Sequence, residues 1–418
     1  MLERSTLIPT FVDETATTAP RTAGTAEEIV GDALGASGAT VLSLSVTNVE
    51  PRAGGAITGV EVELIGEDGP ERRTCYVDGS RSPAEIWVHP DDPYLPALAA
   101  TTFPHALSTF LARIGIPGTL VHVELVAYRP GRRGVVRAEY DDRTVFVKVV
   151  RPDRVRSIVE WHARLRSAGL PVPAVLGWSP SGVIVIESAL GTALTSIVGD
   201  IDAATLVAET EALRARLASV EGLAAPRRAP VRSRASWYAA RLSDRMPQLI
   251  DRLRPLSSMA AADVGVPFVA VHGDLHAGQL FVDPESHRIT GLIDIDTVAL
   301  DEPGTDAGAF IAHALASAEL ARAAGETRRA AGLVELARRG SDSWLAPDSA
   351  DAISARRHTV GQLLAQAMQL AHAQGHEQAA ERLVAAAERV AAGRPPAAAH
   401  DEDPLIGATT TPHQGPTA

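Results

Sequence analysis

Residues 271–308 read VHGDLHAGQLFVDPESHRITGLIDIDTVALDEPGTDAG and gather the side chains best fitted to chemistry. Asp274 follows His272 and Gly273, Gln279 comes five residues later, Asp294 and Asp296 are two apart, and Asp306 closes the run. Carboxylates and an amide oxygen are hard donors, which Mg²⁺ takes together with waters. Structural zinc would need Cys and His in tetrahedral sets. Phosphoryl transfer needs this inventory: one carboxylate to receive a hydroxyl proton, others to hold a metal on the phosphates. Taken singly, each residue has a plainer reading, Asp as a turn former, His272 or His276 as a hydrogen-bonded structural side chain, Gln279 as a loop cap. Their conjunction among strongly apolar strands is what points to a site.

The elements around them must do the positioning. FVAVHGD predicts a strand running into a loop at His272-Gly273-Asp274. LFVD and ITGLIDID predict a hairpin turning at PESHR, which returns Asp294 and Asp296 to the region of Asp274. Two apart on a strand, those carboxylates are expected on one face.

TVFVKVV (144–150) predicts a buried strand around Lys148, the one lysine in a Lys+Arg total of 39. A buried ammonium is costly unless paired. The expected partner is Glu160, the only acidic residue after Asp153 on the helix predicted next. A compact ammonium on a flexible stem suits phosphate oxygens, and a strand Lys paired to a helix Glu on the phosphates of ATP is the protein-kinase arrangement. A functionless Lys148 snorkelling from an edge strand stays open at this point.

Composition bounds the rest. A chain of 418 residues holds roughly two to three domains. A net charge of −12 argues against a general nucleic-acid binder. The single Cys75 allows no internal disulfide or thiolate metal cluster. No apolar run approaches the ~20 residues of a membrane span, and the start MLERSTLIPTFVDE lacks a basic segment followed by an apolar one. A cytoplasmic protein is expected, with no membrane or nucleic-acid partner and an oligomeric state that stays open.

Along the chain, residues 1–35 read as a partly disordered segment with room for one short helix. Short alternating runs between about 40 and 90 predict a small antiparallel sheet, the centre of a β-rich cap over 36–118. The cap is expected to be a separate sheet that supplies no catalytic group. Residues 119–190 predict strands in the order β-β-β-α-β, residues 191–393 a mostly helical region interrupted by strands at 268–298, and 394–418 a disordered tail.

The pattern His272-Gly273-Asp274, Ile293-Asp294 and Asp306 resembles the aminoglycoside phosphotransferase and choline kinase family, which has the protein-kinase-like fold. The form HGDLHAGQL, with Gln279 where the family has its metal-ligand Asn, is similar to that of bacterial maltokinases and glucosamine kinases, which also carry an N-terminal β-rich cap. The resemblance implies an α+β bilobal fold with that cap and a helical C-lobe. It implies ATP and Mg²⁺ as cofactors, Asp274 as the catalytic group, and Gln279 and Asp294 as metal ligands, with His272 and Asp306 supporting the loop; Asp296 is a further candidate ligand from its spacing beside Asp294. It also implies Lys148 with Glu160 at the phosphates, Gly131 in the phosphate loop YRPGRRG, and Glu187 and Ala189 as the hinge meeting adenine. The expected activity is phosphorylation of a small-molecule hydroxyl on a sugar or amino sugar. An aminoglycoside or amino-alcohol acceptor, a non-catalytic nucleotide-binding regulator, and nucleotidyl transfer on the same scaffold are the competing readings.

Overall fold

A computed structural model describes residues 25–52, 54–66, 69–222, 232–346, 348–373 and 375–396. Residues 1–24 of the expected N-terminal segment, and the expected tail beyond 396, lie outside the described residues. The chain divides into two compact units, one running to Ala163 and including Pro173–Ser188, the other made of Arg164–Val172 and the chain from Ala189.

The first unit begins with helix α1 (Ala26–Ala36). Its start is set by a capping box, in which Thr25 and Glu28 exchange side-chain-to-backbone hydrogen bonds of 3.3 and 2.7 Å. An antiparallel sheet follows in the order β1 (Thr40–Arg52), β2 (Gly55–Gly66), β3 (Gly69–Asp78), β4 (Glu85–Val88). Val30 of α1 packs on Val60 and Val62 of β2. The boundary expected after residue 35 therefore parts a helix from the sheet it packs on.

Helices α2 (Leu98–Thr102) and α3 (Pro104–Arg113) lead into a five-stranded sheet of β5 (Leu120–Arg129), β6 (Arg133–Tyr140), β7 (Thr144–Val150), β8 (Val175–Ser179) and β9 (Val183–Glu187). Its order is β5-β6-β7-β9-β8. Side chains alternate across β7. Val145, Val147 and Val149 join Leu98, Leu107 and Leu111 in one core. Val150 packs with Ile184 and with Val155 and Ile158 of α4 (Val155–Ser167) in another. Each fully buried Val or Leu there contributes about 1.5–3 kcal/mol. The β-β-β-α-β expectation missed β8, whose sequence VLGWS carries Gly and Ser and sits at the sheet edge, where local propensity says little.

The cap strands β1 to β4 form a sheet of their own, as the sequence predicts, and that sheet packs on the next one. Ile57, Tyr76 and Trp87 of the cap sheet form one cluster with Tyr94 and with Tyr128 of β5. Tyr76 and Tyr128 meet edge to face, ring centroids 5.4 Å apart.

The second unit opens with β10 (Thr192–Ala193), α5 (Leu194–Ile197), α6 (Ala203–Ala218), α7 (Arg232–Arg245) and α8 (Ile250–Ala261). Two small antiparallel ladders follow. β11 (Val269–Val271) pairs with β14 (Ala299–Asp301), and β12 (Leu280–Val282) pairs with both β10 and β13 (Ile289–Leu292). Helices α9 (Gly304–Ala323), α10 (Thr327–Trp344), α11 (Ala350–His372) and α12 (Glu377–Ala391) complete it. Gly308 lets α9 lie against α11: a Cβ there would sit 2.6 Å from the His358 carbonyl carbon.

Candidate active site

β11 delivers the chain into His272-Gly273-Asp274, and α9 holds that loop. Asp306, in the first turn of α9, accepts the backbone N–H of His272 at 2.8 Å and of Gly273 at 2.7 Å. Thr297 donates its hydroxyl to the His272 carbonyl at 2.8 Å, and His272 Nε2 lies 3.0 Å from the Ile293 carbonyl. The loop is thus fixed by backbone contacts on three sides, and Asp274 is only 1% exposed.

After Asp274 the chain makes a 3-10 turn at Ala277–Gln279, capped by His276, whose Nδ1 accepts the Gly278 N–H at 3.0 Å. That bond fixes the tautomer, leaving the hydrogen on Nε2. Burial, and next the neighbouring His313, push the His276 imidazole down to about 3, so the ring is neutral. Gln279 is buried, and its Oε1 has no hydrogen-bond partner among the described residues. A buried amide oxygen left in that state is costly, and a hard cation would satisfy it.

The expectation for Asp294 and Asp296 is corrected. β13 ends at Leu292, and Ile295–Thr297 form a 3-10 turn rather than continued strand. Asp294 has φ 59° and ψ 44°, left-handed backbone that few side chains adopt. The two carboxylates therefore do not share a strand face. Such a conformation is held only where the surroundings over-determine it, and it clusters at functional sites. Here the chain is pinned just before it, by the Ile293 N–H on the Gln279 carbonyl at 3.0 Å. Among the described residues no three His, Cys, Asp or Glu side chains converge as a metal cage.

In the first unit, Lys148 lies on the central strand β7, opposite Val135 of β6 and Ile184 of β9, and is 6% exposed. That removes the edge-strand alternative. Its expected pairing with Glu160 does not form. Helix α4 buries Val155, Ile158, Trp161, His162 and Leu165, a helical stripe, and Glu160 lies off that stripe, exposed to solvent.

The turn expected to hold phosphate lies between β5 and β6, and cap residues grip it. Asp92 Oδ2 accepts the Gly131 N–H at 2.6 Å and the Tyr128 hydroxyl at 2.8 Å. Gly131 has φ +62°, and an added Cβ would strike Arg52. Arg52 donates to the Pro130 carbonyl, and Arg151 Nε to the Gly131 carbonyl at 2.9 Å. Glu50 Oε1 pairs with Arg129 at 2.7 Å and Arg132 at 2.8 Å. Burial first, then the Asp92 charge, pushes the Tyr128 hydroxyl far up. The cap thus braces this turn through Asp92, Arg52 and Glu50. At the expected hinge, the Glu187 N–H donates to the Ala174 carbonyl at 3.0 Å, and Glu187 is exposed. Ala189, two residues on, is half-buried and begins the second unit's main segment.

Two groups beside Asp274 went unread in the sequence. His313 Nε2 lies 3.5 Å from Asp274 Oδ1 and 3.1 Å from the Gln366 amide nitrogen. His313 also stacks on His276, centroids 4.5 Å apart and planes at 14°. A signal for His313 existed, because it follows Asp306 by two helical turns and shares its face. Gln366, on another helix, left none.

The model of the phosphotransferase enzyme family matches residues 125–346, more than half of the 418, and the chain belongs to that family. Among solved structures it is similar to an aminoglycoside phosphotransferase from Streptomyces rimosus, at 21% identity over 62% of this chain and 96% of that one, TM-score 0.40. It is also similar to a macrolide 2'-phosphotransferase from Brachybacterium faecium, at 20% identity over 67% and 97%, TM-score 0.41. A third is a spectinomycin phosphotransferase in complex with ADP and spectinomycin, at 13% identity over 69% and 98%, TM-score 0.47. Likenesses this shallow carry no argument about substrate. No curated protein matches the chain. No helix among the described residues is long and apolar enough to cross a membrane.

Proposed function

We propose that this phosphotransferase moves the γ-phosphoryl group of ATP to a hydroxyl of a sugar or amino sugar, as glucosamine kinases and maltokinases do. The observation that carries the reading is Asp274, buried on a loop whose backbone Asp306 grips twice, with the partnerless Gln279 Oε1 on the same loop. Asp274 receives the proton as the acceptor O–H bond breaks. The acceptor oxygen bonds to the γ-phosphorus, and the bond to the β–γ bridging oxygen breaks, releasing ADP. Gln279 and Asp294 would hold Mg²⁺, with Asp296 as a further candidate ligand and phosphate oxygens and waters filling the remaining positions. When bound, the ion neutralises charge on the phosphates. Lys148 would meet phosphate oxygens, and the backbone at Glu187 and Ala189 the adenine. Catalysis on this reading comes from positioning and fixed charge.

The net charge of −12 supports a second reading, a cationic acceptor such as an aminoglycoside or amino alcohol. The test for both is ATP consumption across sugars, amino sugars, amino alcohols and aminoglycosides, with Asp274→Asn as control. The variant should lose ~10²–10⁴ in rate while Mg·ATP still binds. Transfer at the parental rate by a folded Asp274→Asn protein removes Asp274 from the mechanism.

A further inference from the structure

Asp274 is among the most buried carboxylates in the chain, and a buried charge needs partners to stay where it is. Helix α9 provides for the loop at two points. Asp306 takes its backbone N–H groups, and His313, seven residues and two turns further along the same face, approaches the Asp274 side chain. His313 is itself 4% exposed and stands in a buried polar seam between α9 and α11. Along that seam Glu302 meets Ser354, Arg357 and His358, Thr305 meets His358, and His313 meets Gln366. Gln366 is 1% exposed and its Oε1 has no hydrogen-bond partner among the described residues. An amide turned over about its terminal bond presents oxygen where nitrogen now stands. Gln366 can therefore face His313 Nε2 either as donor or as acceptor. The neutral His276 ring stacked on His313 closes the other side.

We propose that His313 is a positioning residue for Asp274: its imidazole, buttressed by Gln366 and His276, sets the rotation of the carboxylate that receives the acceptor's proton. The inference rests on the phosphoryl-transfer reading. With hydrogen on Nε2, His313 donates to Asp274 Oδ1, and the Gln366 oxygen is its second acceptor. When Asp274 takes the acceptor's proton on its other oxygen, Oδ1 keeps its lone pairs and the Nε2–H contact stays in place, holding the carboxyl's rotation. The 3.5 Å separation fits a contact that tightens only when the acceptor arrives.

Two measurements test it, and they fail separately. The first needs no acceptor. In protein labelled with ¹⁵N-histidine, His313→Gln identifies the His313 ring resonances by their loss, and Asp274→Asn should then shift the Nε2 signal. An unmoved signal overturns the pairing, whatever the enzyme does. The second uses steady-state kinetics on an acceptor found by the screen. His313→Leu should lower kcat about tenfold to a hundredfold, the cost of a misplaced reacting group, with KM for ATP within about twofold. His313→Gln, which keeps a donor, should recover most of the loss. If the Leu variant does not fold, Gln366→Leu removes the buttress alone and should also lower kcat without moving KM. Parental kcat in His313→Leu, or equal losses in the Leu and Gln variants, overturns the positioning role. A wild type inert toward every acceptor sinks the transferase reading and the kinetic half of this inference with it, while the NMR shift still decides the pair.

Discussion

The Asp92 carboxylate accepts the Gly131 N–H at 2.6 Å, so a residue of the cap holds the backbone of the turn between β5 and β6. A charge-assisted bond of this kind contributes about 1.5–3 kcal/mol. Here it also fixes a backbone amide with positive φ in a loop expected to face phosphate. Asp92→Asn weakens the grip on both Gly131 and Tyr128. The expected outcome is a folded protein with faster amide exchange at Gly131 and Mg·ATP binding weakened about tenfold, because a loosened turn must be reordered on binding. Calorimetry and hydrogen exchange check it. Faster exchange with parental affinity would make the contact structural only.

Asp306 gives a second expectation. Replacing it by Ala leaves the N–H groups of His272 and Gly273 buried without their acceptor, at about 1–3 kcal/mol each. A lower melting temperature and a fall in kcat larger than any change in nucleotide affinity should follow. An Asp306→Ala protein that melts lower but turns over at the parental rate would detach loop rigidity from catalysis.

Glu302 makes stability depend on acid. Burial alone would raise its carboxyl, but hydrogen bonds from His358 and Ser354, with the charges of His358 and Arg357, bring it down from 4.5 to about 2. The folded value lies below the unfolded one, so the contribution is fully present above pH 4.5 and is lost as pH falls towards 2. The size is on the order of 3 kcal/mol. Urea melts at pH 6 and pH 3 should differ in the wild type by an amount that Glu302→Gln, already less stable at pH 6, largely removes. Equal pH dependence in the two proteins would mean that other carboxylates carry the acid response.

Much of the site was legible because its signals are local. His272-Gly273-Asp274 at a strand end, Gln279 five residues on and Asp306 at a helix start are all spaced by the chain itself. What failed was of two kinds. Asp294 and Asp296 looked like strand neighbours because ITGLIDID alternates, but the left-handed backbone at Asp294 breaks the period and no residue type announces it. Glu160 looked like the partner of Lys148 because it was the one acid on offer, and a helix's buried stripe, not its composition, decides which side chains turn inward. The cap's grip on Gly131 joins residues 39 apart, and Gln366 reaches His313 across 53, distances at which a single sequence carries no pairing signal.

Lys148 remains the sharpest test. The chain uses Arg for every other charge in its Lys+Arg total, so Arg would replace a mere surface cation freely. Lys148 is no surface cation: it sits on the central strand, flanked along β7 by Val147 and Val149, which point to the opposite face and are fully buried. A guanidinium is longer, planar and fixed in its fork of donors, so it fits neither the space nor a point contact with phosphate. Lys148→Arg should stay folded in a thermal melt yet lose most activity, through raised KM for ATP, lowered kcat, or both. Glu160→Gln, by contrast, should change stability by less than about 0.5 kcal/mol, as surface substitutions do, and leave the kinetics within about twofold. Parental kinetics in a folded Lys148→Arg enzyme would reduce the lone lysine to an accident of composition. A severe loss in Glu160→Gln would show that α4 turns its carboxylate inward once nucleotide is bound.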